Sequence, residues 1–303
     1  MAADVILRSF GDASAKEDVL GLIETLTATE NQFLNGLGKT TAINTVHATL
    51  TDTLRTAQSR AVAEAADATL LANSTPSRVT NIVETVAIPF GVSGIQDAID
   101  HYQNQAESLR QTRKALTDWG NAAEFDIVRS TLTSGASGTA ATMKGVISWI
   151  TTNTTTQTSG TTFNATQLQN MLVDVYDKGN GEQITDIFVG SLMKRRISSF
   201  TAGATKFMQV VDKTVVDAID IYESDFGRLR VHLHRFVQQS GDATARVLGV
   251  NMDKWKLAYL RRPFIQDLAV SGDYMKKQVI GDLTVEARNQ AINFFMDGFL
   301  KSV

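Results

Sequence analysis

The sequence contains no cysteine, which excludes disulfide bridges, thiolate metal sites and cysteine nucleophiles together. Histidine is scarce, with 4 in the chain, and no serine stands in a recognisable nucleophile setting, so no acid/base or nucleophilic constellation emerges. No catalytic, cofactor-binding or metal-ligating residue is therefore assigned, and the chain reads as a non-enzyme. No apolar run approaches the roughly 18 residues of a membrane span. The first residues carry Asp4 where a secretory signal would place positive charge, and no apolar core follows it, so the sequence gives no sign of secretion. Nor is there an excess of positive charge. A formal net charge of −3 argues against a dedicated nucleic-acid binder, which neutralises phosphates with a clearly basic surface.

What is present is ordinary in bulk and unusual in pattern. With 303 residues, 43% hydrophobic and 20% charged, the chain can bury a sizeable core in one large domain or two closely joined ones. Threonine is abundant, prolines number only 3, and alanine crowds the stretch from Ala57 to Ala72. Threonine and valine suit extended chain and alanine suits helix, so the expected class is mixed α+β.

Residues 1–38 read as a loosely structured arm with a short amphipathic piece, Glu17 to Leu26, broken by Gly36 and Gly38. Alternation from Thr45 to Leu54 predicts a strand with Val46, Ala48, Leu50 and Leu54 on one side. A second strand is predicted from Arg78 to Ile88. More than twenty residues separate the two, far beyond an ordinary hairpin loop of about 2–5 residues, so the pair reads as an extended β-arm that needs a partner surface. The strongest local signal follows: Ile95, Ile99, Tyr102, Ala106, Leu109, Leu116 and Trp119, continued by Ala123 and Ile127, recur at helical spacing. A continuous helix from Ile95 to Leu132 would be roughly 55 Å long at 1.5 Å per residue, with a bend expected at Gly120. Thr151 to Thr162 reads as an exposed low-complexity loop, and Asn164 as the N-cap of a helix over Ala165 to Asp177. Beyond it the pattern predicts a buried strand at Ile184–Val189 and a basic helix at Ser191–Phe200. Strands are predicted at Val215–Tyr222 and Arg228–Val237, with more between Lys254 and Phe299.

Three motifs invite chemistry and none sustains it. Gly36-Leu37-Gly38-Lys39-Thr40-Thr41 resembles the end of a phosphate-binding loop, but Phe33 occupies the place of the first glycine, and a hinge is the better reading. His232 and His234 are two apart and could share a metal on one strand face; Arg228, Arg230 and Arg235 nearby oppose a cation, which favours a solvated basic face. Lys194-Arg195-Arg196 and Arg261-Arg262 are small basic clusters suited to phosphates or acidic neighbours.

The order of segments then resembles a known family. Val92-Ser93-Gly94-Ile95-Gln96-Asp97-Ala98-Ile99-Asp100-His101-Tyr102, ahead of the long charged helix, is similar to the start of the spine helix in tailed-bacteriophage major head proteins. Met143-Lys144-Gly145-Val146-Ile147-Ser148-Trp149-Ile150 follows, then Val189-Gly190-Ser191-Leu192-Met193-Lys194-Arg195-Arg196, Ile221-Tyr222-Glu223-Ser224-Asp225-Phe226-Gly227 and Trp255-Lys256-Leu257-Ala258-Tyr259-Leu260-Arg261. The resemblance spans about Thr29 to Ala291. It implies the Hong Kong 97-like capsid fold: an N-terminal arm (1–38), an E-loop β-arm (39–88), a P-domain with the spine helix (89–139), an A-domain (140–250) and C-terminal P-domain strands (251–303). One departure is that Ala48 and Thr49 follow His47 where the family carries an aromatic and an acidic residue. The implied role is self-assembly into hexamers and pentamers of an icosahedral or prolate virion shell around double-stranded DNA, built in the host cytoplasm. Its implied partners are a portal and scaffold or decoration proteins, the DNA touched only by weak non-specific contact, with no membrane. An encapsulin-like compartment and a threonine-rich tail or adhesion protein are the alternatives.

Overall fold

A computed structural model describes residues 31–55, 57–68, 70–99, 106–179, 181–200, 221–239 and 241–301. The amphipathic piece at 17–26 lies outside these residues, as do Tyr102 and most of the strand expected from Val215.

Three sheets organise the chain. The first has four strands in the order β1-β10-β11-β4, namely β1 (Gly38–Thr41), β4 (Glu84–Ser93), β10 (Trp255–Asp267) and β11 (Tyr274–Ala287). All its pairings are antiparallel except β1 with β10. The second is a two-stranded ribbon of β2 (Val46–Thr51) and β3 (Ser77–Ile82). The third has six strands in the order β5-β12-β9-β6-β8-β7: β5 (Thr154–Thr161), β6 (Asp186–Val189), β7 (Ile221–Ser224), β8 (Gly227–Leu233), β9 (Ala245–Val250) and β12 (Phe294–Phe299). The helices are α1 (Gln32–Gly36), α2 (Gly94–Ala98), the spine α3 (Glu107–Arg129), α4 (Val146–Trp149), α5 (Ala165–Lys178) and α6 (Ser191–Phe200).

Two cores follow from this layering. One lies between the spine and the four-stranded sheet: Trp119, Ala123 and Ile127 meet Leu257, Val279, Leu283 and Val285. Trp119 is fixed there by its indole N–H, which donates to the Val86 carbonyl at 3.0 Å. The approach is close, because a methyl group at Gly281 would sit 2.8 Å from the Trp119 ring. The second core lies between one face of the six-stranded sheet and α5 with α6, where Leu168, Leu172, Val175, Met193 and Ile197 meet Ile187, Val231 and Phe294. The opposite face of that sheet supplies Phe188, Leu248 and Val250 to the first core, so the two are continuous layers of one body.

Several expectations hold and several change. Helix α5 begins at Asn164 with a full capping box, in which Asn164 and Gln167 satisfy each other's backbone N–H groups, as its sequence foretells. The helix expected from Ile95 to Leu132 is not continuous. After Ala98 the backbone is extended at Ile99, and α3 spans 23 residues, about 35 Å, ending at Arg129. The helix runs through Gly120 without interruption; a methyl group there would lie 3.1 Å from the Asn31 side chain, so the glycine serves close approach of the segment at α1. The strand expected from Arg78 to Ile88 is two strands separated at Val83, because its first half pairs with β2 and its second with β11. Gly38–Thr41 is an edge strand on β10 and not a hinge. The threonine-rich stretch expected as a loop is β5, pairing parallel with β12; its β-branched side chains suit extended chain.

Candidate assembly surfaces

The ribbon β2–β3 and its tip form an arm with little core of its own. The register runs from Val46 opposite Ile82 to Thr51 opposite Ser77. The side expected to be apolar is not covered: Leu50 is 71% exposed, and beyond the ribbon Leu54 is 99% and Leu70 96% exposed. The neck of the tip is closed by polar bonds. Arg55 donates to the carbonyls of Ala72 and Leu71 and to Asn73 Oδ1 at 2.6 Å, and the Ser74 hydroxyl donates to Asp52 at 3.0 Å.

At its root the arm is pinned to the body by two side chains. Asn81, buried, donates to the carbonyls of Val285 (2.7 Å) and Lys144 (3.1 Å) and accepts from the Lys144 N–H at 2.8 Å. His47 Nε2 lies 3.3 Å from Glu286, which also accepts from Arg288. Burial alone would raise the Glu286 carboxyl, but Arg288 and His47 outweigh it and hold it below the usual carboxylate range. Between arm and body a cleft of about 850 Å³ is lined by Asp52, Arg55, Trp149, Lys178 and Arg288 among others.

Two further surfaces repeat this division within single elements. In β10, Trp255, Leu257, Ala258 and Tyr259 are buried while Arg261 to Asp267 are exposed. In the spine, Trp119, Ala123 and Ile127 are buried while Leu109 (56%) and Leu116 (43%) are exposed, as are Ile95 and Ile99 of the preceding segment. From Leu109 to Ile127 the helical periodicity is realised in α3, but its first half, at Leu109 and Leu116, is left exposed by the described residues.

Helix α1 is tied to the spine and to the six-stranded sheet. Glu124 of the spine is fully buried and accepts the N–H groups of Phe33 and Leu34, each at 2.7 Å, so a carboxylate from another helix caps α1. It also accepts from His234 Nε2 at 2.9 Å. The Phe236 N–H donates to His234 Nδ1, which fixes the proton on Nε2 and makes the bond to Glu124 a donated one. The two histidines of the possible metal pair are thus separated. His234 is buried on Glu124, whereas His232 is half-exposed and bonds Asp186, which also takes a two-point contact from Arg230. The alternation ends at His232: Leu233, expected on the apolar side, is 46% exposed. Among the described residues no group of three or more metal-ligating side chains occurs, and no helix is long and apolar enough to cross a membrane.

Comparison with known families places these surfaces. The SU10 major capsid protein family matches residues 6–298, nearly the whole chain. The chain belongs to that family. Solved structures agree on the fold. The capsid of Myoviridae phage XM1 is 12% identical with a TM-score of 0.67, covering 98% of this chain and 100% of that one. The capsid of a native GTA particle is 13% identical with a TM-score of 0.65, covering 95% and 96% respectively. The SrpI encapsulin of Synechococcus elongatus is 10% identical with a TM-score of 0.58, covering 97% and 96%. No curated protein sequence matches significantly.

The fold is therefore the Hong Kong 97-like capsid fold, and as a major capsid protein the chain is a shell-forming structural subunit of a virion. The candidates for its assembly surfaces are those left exposed among the described residues. The long-looped arm was legible in the sequence. The exposed end of the spine was not, because helical spacing alone cannot say what covers a face. Glu124 and Glu286 were also missed. Phe33, Leu34 and His234 around Glu124 and His47 beside Glu286 lie 90 to 239 residues away in the chain, and no local pattern marks them.

Proposed function

We propose that this capsid subunit builds the closed head of a tailed phage, icosahedral or prolate, from hexamers and pentamers, and that the head encloses double-stranded DNA. The observation that carries the reading is the arm: Leu50, Leu54 and Leu70 are exposed on an element with almost no core of its own. Such a ribbon is at best marginally stable alone and gains its packing from neighbours. In this reading 1–38 is the N-arm, 39–88 the E-loop, 89–139 the spine part of the P-domain, 140–250 the A-domain and 251–303 the returning C-terminal strands. Each E-loop and N-arm overlays adjacent subunits, so contact per subunit exceeds one standard interface of about 1,600 Å². A portal and scaffold or decoration proteins join the shell, which assembles in the host cytoplasm, and the DNA is touched by weak non-specific contacts. The role is structural, without catalysis.

Expression of the chain alone, followed by negative-stain electron microscopy and light scattering, tests the proposal. Closed shells or rings of five and six are the expected result. A subunit that stays monomeric at high concentration and low salt would overturn it. The encapsulin alternative predicts shells that co-purify with a protein cargo instead of protecting DNA from nuclease.

A further inference from the structure

Among the described residues five carboxylates are buried: Glu84, Glu124, Asp186, Asp282 and Glu286. Four of them have a basic partner. Glu124 has His234, Asp186 has Arg230 and His232, Asp282 has Arg261, and Glu286 has Arg288 and His47. Glu84 differs. It is 8% exposed, and its Oε2 accepts only from neutral donors, the Met143 N–H at 3.0 Å and the Ser130 hydroxyl at 3.3 Å.

The charged group that acts on this site is a second acid. Asp126 stands one helical turn before Ser130 on the spine and feels the Glu84 charge. The cations of the surrounding elements are engaged elsewhere: Arg129 with Asp242, Arg261 with Asp282, Arg288 with Glu286, and Lys144 over the Trp149 ring at 4.3 Å. Burial raises both carboxyls, and the Glu84 charge adds to the effect on Asp126, which is pushed up to about 7.

The bonds at this pair join three parts of the molecule. Glu84 opens β4, directly after the arm's return strand β3 and next to Val83, whose N–H donates to the Thr45 carbonyl across the arm's root. Ser130 ends the spine, and its carbonyl accepts from the Gly145 N–H and the Ser148 hydroxyl. Met143 and Lys144 begin the segment leading to α4, and Asn81 of the arm grips Lys144 from the other side.

We propose that Glu84 and Asp126 form a proton-linked latch: with a proton retained on the pair, the arm's return strand, the end of the spine and the segment from Met143 are held together, and loss of that proton loosens the junction. The physical reason is that burial disfavours the charged form of both carboxyls, and without a cation to offset it their like-charge repulsion adds to that cost. The sign follows from Asp126, whose carboxyl lies near 7 in the folded chain against 3.8 ordinarily. Its contribution is complete below about pH 4, declines as pH rises and is gone above about 7. The consequence is a shell whose arm-to-body geometry depends on pH near neutrality.

The test is hydrogen exchange by mass spectrometry on the assembled protein from pH 5 to 8.5, normalised for the intrinsic pH dependence of exchange. Peptides covering 130–146 report the junction, and peptides from α5 serve as the reference. Wild-type protection at the junction should fall about tenfold per pH unit up to about pH 7, one proton's effect, and then level off. Asp126→Asn should abolish that slope while α5 protection stays unchanged, and Glu84→Gln should make it level off at a lower pH, because the burial of Asp126 remains while the neighbouring charge does not. Parallel slopes in wild type and Asp126→Asn would overturn the latch. So would a loss of protection that is uniform along the chain, since that reports global unfolding. If Glu84→Gln does not fold, Asp126→Asn decides alone, because its half-buried side chain makes no hydrogen bond among the described residues. Failure of shell assembly would show in light scattering, separately from the exchange slopes.

Discussion

The arm and the six-stranded sheet are both β-structure rich in threonine, yet they stand at opposite ends of self-sufficiency. In the sheet, β6 is buried at every position, and α5 and α6 close one face while the first core closes the other. In the arm, Leu50 of β2 and Leu54 and Leu70 of the tip are exposed, and none of the described residues covers them. The difference shows that strand propensity alone does not confer stability; what matters is whether a second layer is available. The sheet thus folds on itself, whereas in the proposed shell the arm would gain its packing from neighbouring subunits.

The comparison can be broken most forcefully inside the sheet. Phe294→Ala removes a fully buried ring that lies against Gly249, and should cost about 3–5 kcal/mol, read as a lower denaturation midpoint. The junction between the body and the start of the described chain comes next. Glu124→Gln withdraws the anion that accepts from Phe33, Leu34 and His234; a loss of about 2–3 kcal/mol is expected in denaturant titration, with faster exchange at the amides of 33–34. A smaller and more general loss should come from acid. Burial would raise the Asp282 carboxyl, but the Arg261 bond and the Thr85 hydroxyl outweigh it, and Glu286 is lowered in the same way by Arg288 and His47. Their stabilisation is present above the ordinary carboxylate range and is lost as pH falls below about 4, so the thermal midpoint should drop there. The smallest effect on the isolated subunit should come from the arm. Leu54→Ser with Leu70→Ser should change subunit stability by less than about 0.5 kcal/mol, because both side chains are already exposed, yet should abolish shells in light scattering. Large destabilisation of the monomer by that pair would mean the arm packs on its own body.

Reading the chain segment by segment recovered what local spacing can encode. The Asn164 cap and the apolar set Leu168, Leu172 and Val175 announce α5, and the alternation after Thr45 announces the arm. The same reading failed where two distant segments decide the outcome. The strand beginning at Arg78 divides because two different partners claim its halves. The threonine run near 155 becomes β5 because β12, almost 140 residues later, offers it an edge.

The sequence by itself thus determined the class of the fold, the long-looped arm and the family to which they point, since each is written in the spacing and succession of residues along the chain. Only the tertiary structure decided which apolar faces are covered, which histidine meets which carboxylate, and that Glu84 meets an acid where every other buried carboxylate among the described residues meets a base. Those outcomes depend on three-dimensional proximity between residues far apart in sequence, and on the desolvation that burial imposes there.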